Sequence, residues 1–139
     1  MKTILKNILA ILGGVVIGMV VNMGLIITGN QLIPFEEGMN PMNAMNWELK
    51  YFIFPFLAHA IGTLLGALIT AKLSASYQMT FAICIGIFFL SGGISMVFIL
   101  PAPVWFVVID LLLAYIPMGW LGWKISNLTT KPTSPILLS

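Results

Sequence analysis

Between Lys72 and Lys124 the sequence has one formal charge, Asp110, and this apolar stretch is long enough to cross a lipid bilayer twice. A bilayer core is about 30 Å thick and takes about 20 apolar residues per helix. A carboxylate at such depth is costly, so it usually faces protein or water and marks a function. The chain therefore needs both membrane-spanning segments and a protected place for Asp110.

The composition of the whole chain supports a membrane setting. The 139 residues are 60% hydrophobic and 7% charged, whereas a soluble domain is typically about a quarter charged. The net charge of +2 gives no sign of nucleic-acid binding, and a chain without arginine is poorly suited to bidentate phosphate recognition. We therefore expect a single domain over residues 1–139 in a lipid bilayer, without a nucleic-acid partner and without a cofactor.

Four apolar segments predict an all-α polytopic membrane protein. Pro101 and Pro103 separate the last two segments, because proline cannot continue a helix and restricts the residue before it. The segments do not alternate apolar and polar residues, as the strands of a membrane barrel would. The expected transmembrane helices are residues 4–28, 51–71, 77–100 and 104–125.

The connections and the lysines predict how these spans are arranged. The turns at 74–76 and 101–103 are very short, so spans two to four are expected to be antiparallel neighbours in an up-down bundle. The outer loop is 29–50 and the tail is 126–139. Lysine excess marks the cytoplasmic side, which places both termini in the cytoplasm. The lysines that carry this prediction are Lys2, Lys6, Lys72, Lys124 and Lys131.

Small residues follow one face of span one and one face of span two. Gly14 and Gly18 are four residues apart, and so are Gly62 and Gly66. Small residues at this spacing let two helix backbones approach closely. The sequence does not separate packing within the chain from packing between copies, and we expect a homo-oligomer or a place in a larger membrane complex.

Four polar side chains, one from each span, are expected at similar depth below the outer surface. At 1.5 Å per residue from the nearest span end, their depths run from about 10 Å to about 15 Å. These residues form the predicted polar intramembrane cluster: Asn22, His59, Ser91 and Asp110.

A pair formed by His59 and Asp110 would be either two neutral side chains or an ion pair, and the sequence does not choose. Because histidine changes charge near physiological pH, the pair suits proton relay or solute gating. Two alternatives stay open: a hydrogen-bonded pair that only fixes helix register, and a pocket for a lipid or quinone headgroup. The sequence thus favours a small-solute or proton-linked transport or channel-like role. A non-catalytic membrane subunit or assembly factor of a larger complex is the alternative function.

Catalysis has little support in the sequence. Ser91 or Ser95 with His59 and Asp110 would supply the residue types of a hydrolase triad. Neither serine lies in the glycine pattern of a nucleophile elbow. We therefore predict that the protein is not an enzyme.

The outer loop contains three methionines at a spacing of three, Met39, Met42 and Met45. They resemble the methionine motifs of copper importers, in which thioethers bind Cu(I). The alternative is a short interfacial helix that begins near Pro41 and turns the methionines to its apolar face. One histidine and one aspartate are too few for a structural zinc site, so no metal site is predicted beyond this Cu(I) hypothesis.

Residues 54–60, Phe-Pro-Phe-Leu-Ala-His-Ala, and residues 110–117, Asp-Leu-Leu-Leu-Ala-Tyr-Ile-Pro, surround the two ionisable groups. With the four-span layout, they resemble the small uncharacterised four-helix membrane proteins of flavobacteria and their relatives. The resemblance covers nearly the whole chain. It implies an inner-membrane location and a Gram-negative source, and it carries no assigned activity.

Overall fold

The computed structural model describes residues 1–130, and all regular secondary structure in this range is helical. Lys131 and most of the predicted tail lie outside the described residues. Two short 3-10 turns, Ala44–Asn46 and Leu49–Phe52, belong to the loop between the first two helices. The α-helices are α1 (Lys2–Leu32), α2 (Ile53–Leu73), α3 (Gln78–Ile99), α4 (Val104–Leu113) and α5 (Ile116–Thr129).

Four helical stretches of the described chain are long and apolar enough to cross a membrane, which confirms the predicted all-α class with four such helices. The fourth stretch, Val104–Thr129, combines α4 and α5. The first helix extends beyond the predicted span at both ends. It continues past Gly29, whose carbonyl oxygen accepts from the N–H of Ile33 at 2.8 Å, and it ends only where Pro34 follows.

Hydrogen bonds join segments at each end of the bundle, and those of Asn7 show that α1 and α2 are antiparallel. The Asn7 amide, near the start of α1, donates to Ser76 Oγ at 3.0 Å and accepts from the N–H of Ala75 at 2.8 Å. At the opposite end, the N–H of Ala44 donates to the carbonyl oxygen of Pro101 at 2.8 Å. We call the end of the bundle near Asn7 the terminal end, because α1 begins there. We call the opposite end, near Ala44 and Pro101, the loop end.

The fourth stretch is broken, which differs from the continuous helix predicted over 104–125. Tyr115 leaves helical geometry, with φ −121° and ψ −77°. Pro117 lies in the first turn of α5, and because it has no N–H it cannot donate to the carbonyl oxygen of Leu113. The last bond of α4 runs from Ala114 to Asp110, and α5 resumes with Gly119 donating to Tyr115.

Glycines bring α1 and α2 into backbone contact. A Cβ placed at Gly66 would lie 2.7 Å from the carbonyl oxygen of Gly14, and one at Gly62 would lie 2.9 Å from that of Gly18. Only glycine fits at such separations. Helices in lipid have no hydrophobic driving force for association, so close van der Waals packing of this kind stabilises the helix pair. This glycine face therefore packs within the chain.

The other sides of α2 pack against α3 and α5 in the terminal half of the bundle. A Cβ at Gly122 would lie 2.7 Å from the carbonyl oxygen of Leu64, and one at Gly119 would lie 3.0 Å from that of Ala82. Small side chains fill the space between these helices, which leaves no wide passage there. The buried core of this half is Ala67, Ala71, Ala82 and Ile85.

Two threonines on α2 make a matched pair for measuring interhelical hydrogen bonds. Thr70 Oγ1 donates to the carbonyl oxygen of Ala10 at 3.2 Å, whereas Thr63 Oγ1 is buried without a hydrogen-bond partner among the described protein atoms. Because a buried unpaired hydroxyl costs about 1–3 kcal/mol, we expect Thr63→Val to raise stability by about 1 kcal/mol. Thr70→Val should lower it by about 0.6 kcal/mol. Unfolding by SDS in mixed micelles measures the stability of both variants. Equal changes in the two would contradict the conclusion that Thr70, and not Thr63, makes an interhelical hydrogen bond.

Candidate functional site

His59 of α2 and Asp110 of α4 form a direct pair. His59 Nδ1 lies 2.8 Å from Asp110 Oδ1 and 3.0 Å from Oδ2. The Asp110 side chain is 7% exposed and that of His59 21% exposed, so the carboxylate is enclosed and the ring has one accessible side. With Asp110 ionised, the Nδ1–H group donates to the carboxylate and fixes the orientation of the imidazole.

Tyr115 completes this group and was missed by the sequence reasoning. Its hydroxyl donates to Asp110 Oδ2 at 3.0 Å, and its ring lies 5.7 Å from the His59 ring, centroid to centroid. The phenol fits against α3 because residue 93 is glycine, where a Cβ would collide with the Tyr115 hydroxyl. We refer to His59, Asp110 and Tyr115 as the polar triad.

The break between α4 and α5 is what brings Tyr115 to Asp110. In a continuous helix, residues five apart point about 140° away from each other, since each residue turns the chain by about 100°. The non-helical backbone at Tyr115 removes this separation. Irregular backbone inside a membrane is tolerated where it is buried in protein or lines a cavity, and such discontinuous helices commonly build binding sites.

The triad lines a cavity of about 700 Å³ in the loop half of the bundle. Small-molecule pockets have volumes of about 300–1,000 Å³. The walls come from α1, α2, α3, α4 and the loop before α2, and most of the lining side chains are apolar. The cavity ends toward the terminal end, where the small residues of α2, α3 and α5 are in contact.

Of the other two residues of the predicted cluster, one joins the triad in the cavity wall and one does not. Asn22 lines the cavity and lies against Gly62, where an added Cβ would be 3.2 Å from the Asn22 Cβ. Ser91 does not line the cavity. It is exposed on α3, and its hydroxyl donates to the carbonyl oxygen of Phe88 at 2.6 Å. The Ser91 side chain therefore points away from the triad.

Aromatic rings cover the cavity at the loop end. Phe35 stacks on Tyr51 with centroids 5.1 Å apart, and Phe52 packs against Phe106 at 4.5 Å and Trp105 at 5.2 Å. Tyr51 and Phe52 are buried, so they are part of a packed roof. We call these residues, together with Trp47, the aromatic roof. Lys50 holds its outer side by ion pairs to Glu36 and Glu48, each at 3.1 Å.

The three loop methionines lie outside the cavity. Met42 and Met45 are exposed, and Met39 is half-buried. Asparagine side chains shape this segment, with Asn40 Oδ1 accepting from the N–H of Met42 and Asn43 Oδ1 from that of Met45. The segment forms turns and the 3-10 turn Ala44–Asn46, which differs from a regular interfacial helix. The Cu(I) hypothesis stays a prediction.

The imidazole of His59 leaves one nitrogen free for a ligand. Nδ1 is bonded to Asp110, whereas Nε2 has no hydrogen-bond partner among residues 1–130. Within that range Thr63 Oγ1 is the single fully buried side-chain polar atom that lacks a partner, so Nε2 lies on accessible surface. His59 lines the cavity, so a ligand that contacts the free side of this ring would meet a nitrogen that accepts a proton or donates one.

Comparisons with protein-family models, with curated proteins and with solved structures found no match to this chain. The class of the protein therefore follows from the fold and the cavity. It is an all-helical protein with four helices suited to a membrane and an enclosed polar triad.

Proposed function

We propose that the protein is a proton-linked carrier of a small molecule, which binds in the loop-half cavity. The observation that carries the proposal is the 2.8 Å pair between His59 Nδ1 and Asp110 Oδ1 in the wall of that cavity. Ionisable groups inside a membrane are retained at a cost and recur in proton relays and substrate pathways. A change of charge on the pair would alter how strongly the cavity holds its ligand.

The neighbours of the pair leave the polar triad as the ionisable group deepest in the described part of the cavity wall. Besides His59, Tyr115 is the ionisable group in direct contact with Asp110. Lys50 and Tyr51 line the cavity near the aromatic roof, and α1 and α3 add to the described lining only uncharged side chains such as Asn22. No other described charge lies in the wall between the roof and the triad, so the pair supplies the charged groups of that part of the cavity.

The proposed topology places the loop end outside. Lys2, Lys6, Lys72 and Lys124 belong to the terminal end, and lysine excess favours the cytoplasmic side. Both termini would then be cytoplasmic and the cavity would lie in the outer half of a bacterial inner membrane. The closed terminal half means that passage requires α3 and α5 to separate, as in alternating access.

Proton movement in proteoliposomes tests the proposal. With a pH-sensitive dye inside and an imposed pH gradient, the protein should speed relaxation of the gradient over empty liposomes, since we propose that the polar triad also passes protons when no ligand is bound. Asp110→Asn keeps the size of the side chain and removes its charge, so we expect at least tenfold slower relaxation. Glu37→Gln is the matched control, because it removes an exposed carboxylate outside the bundle and should change nothing. Relaxation no faster than in empty liposomes, or an unchanged rate in Asp110→Asn, would refute the role.

A further inference from the structure

The rim of the cavity points to the bilayer as the source of the ligand. Five residues both line the cavity and are exposed: Met19, Met23 and Asn30 of α1, and Gly92 and Met96 of α3. Residues that meet both conditions form the edge of an opening. This opening lies between α1 and α3, which make few contacts with each other, and its edge carries no charge.

The loop end offers a less open route. The aromatic roof covers it, with Phe52 3% exposed and Tyr51 5% exposed. Lys50 holds the outer side through Glu36 and Glu48. A molecule dissolved in lipid would reach the cavity between two helices, whereas a molecule dissolved in water would first have to displace packed rings.

The side chains inside the cavity favour a ligand with a hydroxyl group. The walls are mainly apolar, and His59 Nε2 is the accessible nitrogen in the polar triad. A ligand hydroxyl donates to Nε2 when the imidazole is neutral and accepts from Nε2–H when it is protonated. A hydroxyl is therefore compatible with both protonation states of His59.

From the rim and the free nitrogen together, we infer that the ligand is a lipophilic alcohol or phenol that enters from the bilayer between α1 and α3 and binds His59 Nε2 through its hydroxyl. This inference rests on the proposed function and names the class of molecule that the carrier takes. The apolar body would occupy the space between Met23 and Met96, and the hydroxyl would reach the triad.

Three probes that differ in one feature each test the ligand class. 4-Decylphenol has an apolar body and a hydroxyl, decylbenzene has the body alone, and phenol has the hydroxyl without the chain. Binding is measured in lipid nanodiscs, with the affinities of the two decyl compounds expressed per mole of lipid so that partitioning cancels. We expect 4-decylphenol to bind about tenfold more tightly than decylbenzene, since one hydrogen bond in an apolar site is worth about that factor. Phenol should bind at least tenfold more weakly than 4-decylphenol.

Two variants locate the binding. His59→Phe keeps a ring and removes Nε2, so the preference for 4-decylphenol should fall to less than twofold while decylbenzene binds as before. Gly92→Leu places a side chain in the opening, where a Cβ meets nothing within 4 Å, and should weaken both decyl compounds at least tenfold. Gly13→Leu is its matched control, because that Cβ also meets nothing within 4 Å and Gly13 does not line the cavity.

The outcomes separate this inference from the proposed function. Equal affinity for 4-decylphenol and decylbenzene, binding of phenol as tight as that of 4-decylphenol, or unchanged binding in Gly92→Leu would each overturn the ligand assignment. If the hydroxyl preference is present and the proton flux is absent, the carrier role falls and the ligand class stands. If the flux depends on Asp110 and the preference is absent, only the ligand class falls.

Discussion

Replacing Gly14 with leucine is expected to prevent α1 from packing on α2. A Cβ at this position would collide with Thr70 Oγ1 and lie 2.6 Å from the carbonyl oxygen of Gly66. Backbone atoms of a neighbouring helix cannot move aside as a side-chain tip can, so the helices must separate. We expect a loss of about 3 kcal/mol or more, at the upper end of the range for overpacked interiors. Resistance to SDS unfolding measures this loss of stability, and the monodisperse fraction in mild detergent gives a second readout.

The neighbouring glycine supplies the control. Gly13 is on the same helix, one residue away, and a Cβ there meets nothing within 4 Å. Gly13→Leu makes the same chemical change on the side of α1 that faces away from α2, and stability should change by less than about 0.5 kcal/mol. Similar losses in the two variants would show that leucine disturbs α1 itself and that the glycine contact is not what holds α1 to α2.

Asp110→Ala is expected to have the second-largest effect, because one carboxylate serves two donors. His59 Nδ1–H and the Tyr115 hydroxyl both lose their acceptor, and each unpaired donor costs about 1–3 kcal/mol. We expect a total loss of about 2–6 kcal/mol in SDS unfolding. His59 is the only histidine of the chain, so ¹⁵N-histidine labelling gives the signals of this ring alone. Alanine should remove the preference for a proton on Nδ1.

Asp110→Asn separates the loss of charge from the loss of the acceptor. The asparagine carbonyl can accept from one of the two donors, so this variant should be more stable than Asp110→Ala and should keep Nδ1 protonated in part of the population. Identical ¹⁵N spectra in the two variants and in the unaltered protein would show that Asp110 does not set the His59 tautomer.

The sequence predicts the helices well because their signal is local. Long apolar runs, the prolines at 101 and 103, and the two lysines that flank span two define where helices can lie in lipid. The end of α1 is harder to place, because Gly29 and Asn30 resemble a stop. The helix continues to Leu32, since glycine in a membrane helix need not end it and only Pro34 removes the hydrogen bonds.

The polar triad shows what the sequence could not reveal. The sequence places His59 and Asp110 at similar depth without deciding whether they touch, and the structure brings them into contact. Tyr115 was missed because a spacing of five does not share a helical face. The available signal was Pro117, two residues later, which favours a helix break near Tyr115.

Ser91 illustrates the opposite error. Its predicted depth agrees with that of the triad, but depth leaves the direction of a side chain undetermined. Ser91 faces outward and bonds to its own helix, which satisfies a hydroxyl in lipid at little cost. Direction depends on which face of α3 meets the break at Tyr115 and the start of α5, and Gly86 and Gly93 lie on that face, against Tyr115. Glycine is frequent in membrane helices, so its position alone does not identify such a face.

The small-residue interior has a thermodynamic consequence. Glycine and alanine make many of the contacts between α1, α2 and α5, while many large apolar side chains are exposed. Parting these helices inside a bilayer would exchange protein contacts for acyl chains without wetting apolar surface. The large heat-capacity increase that accompanies unfolding in water arises from such wetting. Helix separation in this protein should therefore have an enthalpy that changes little with temperature.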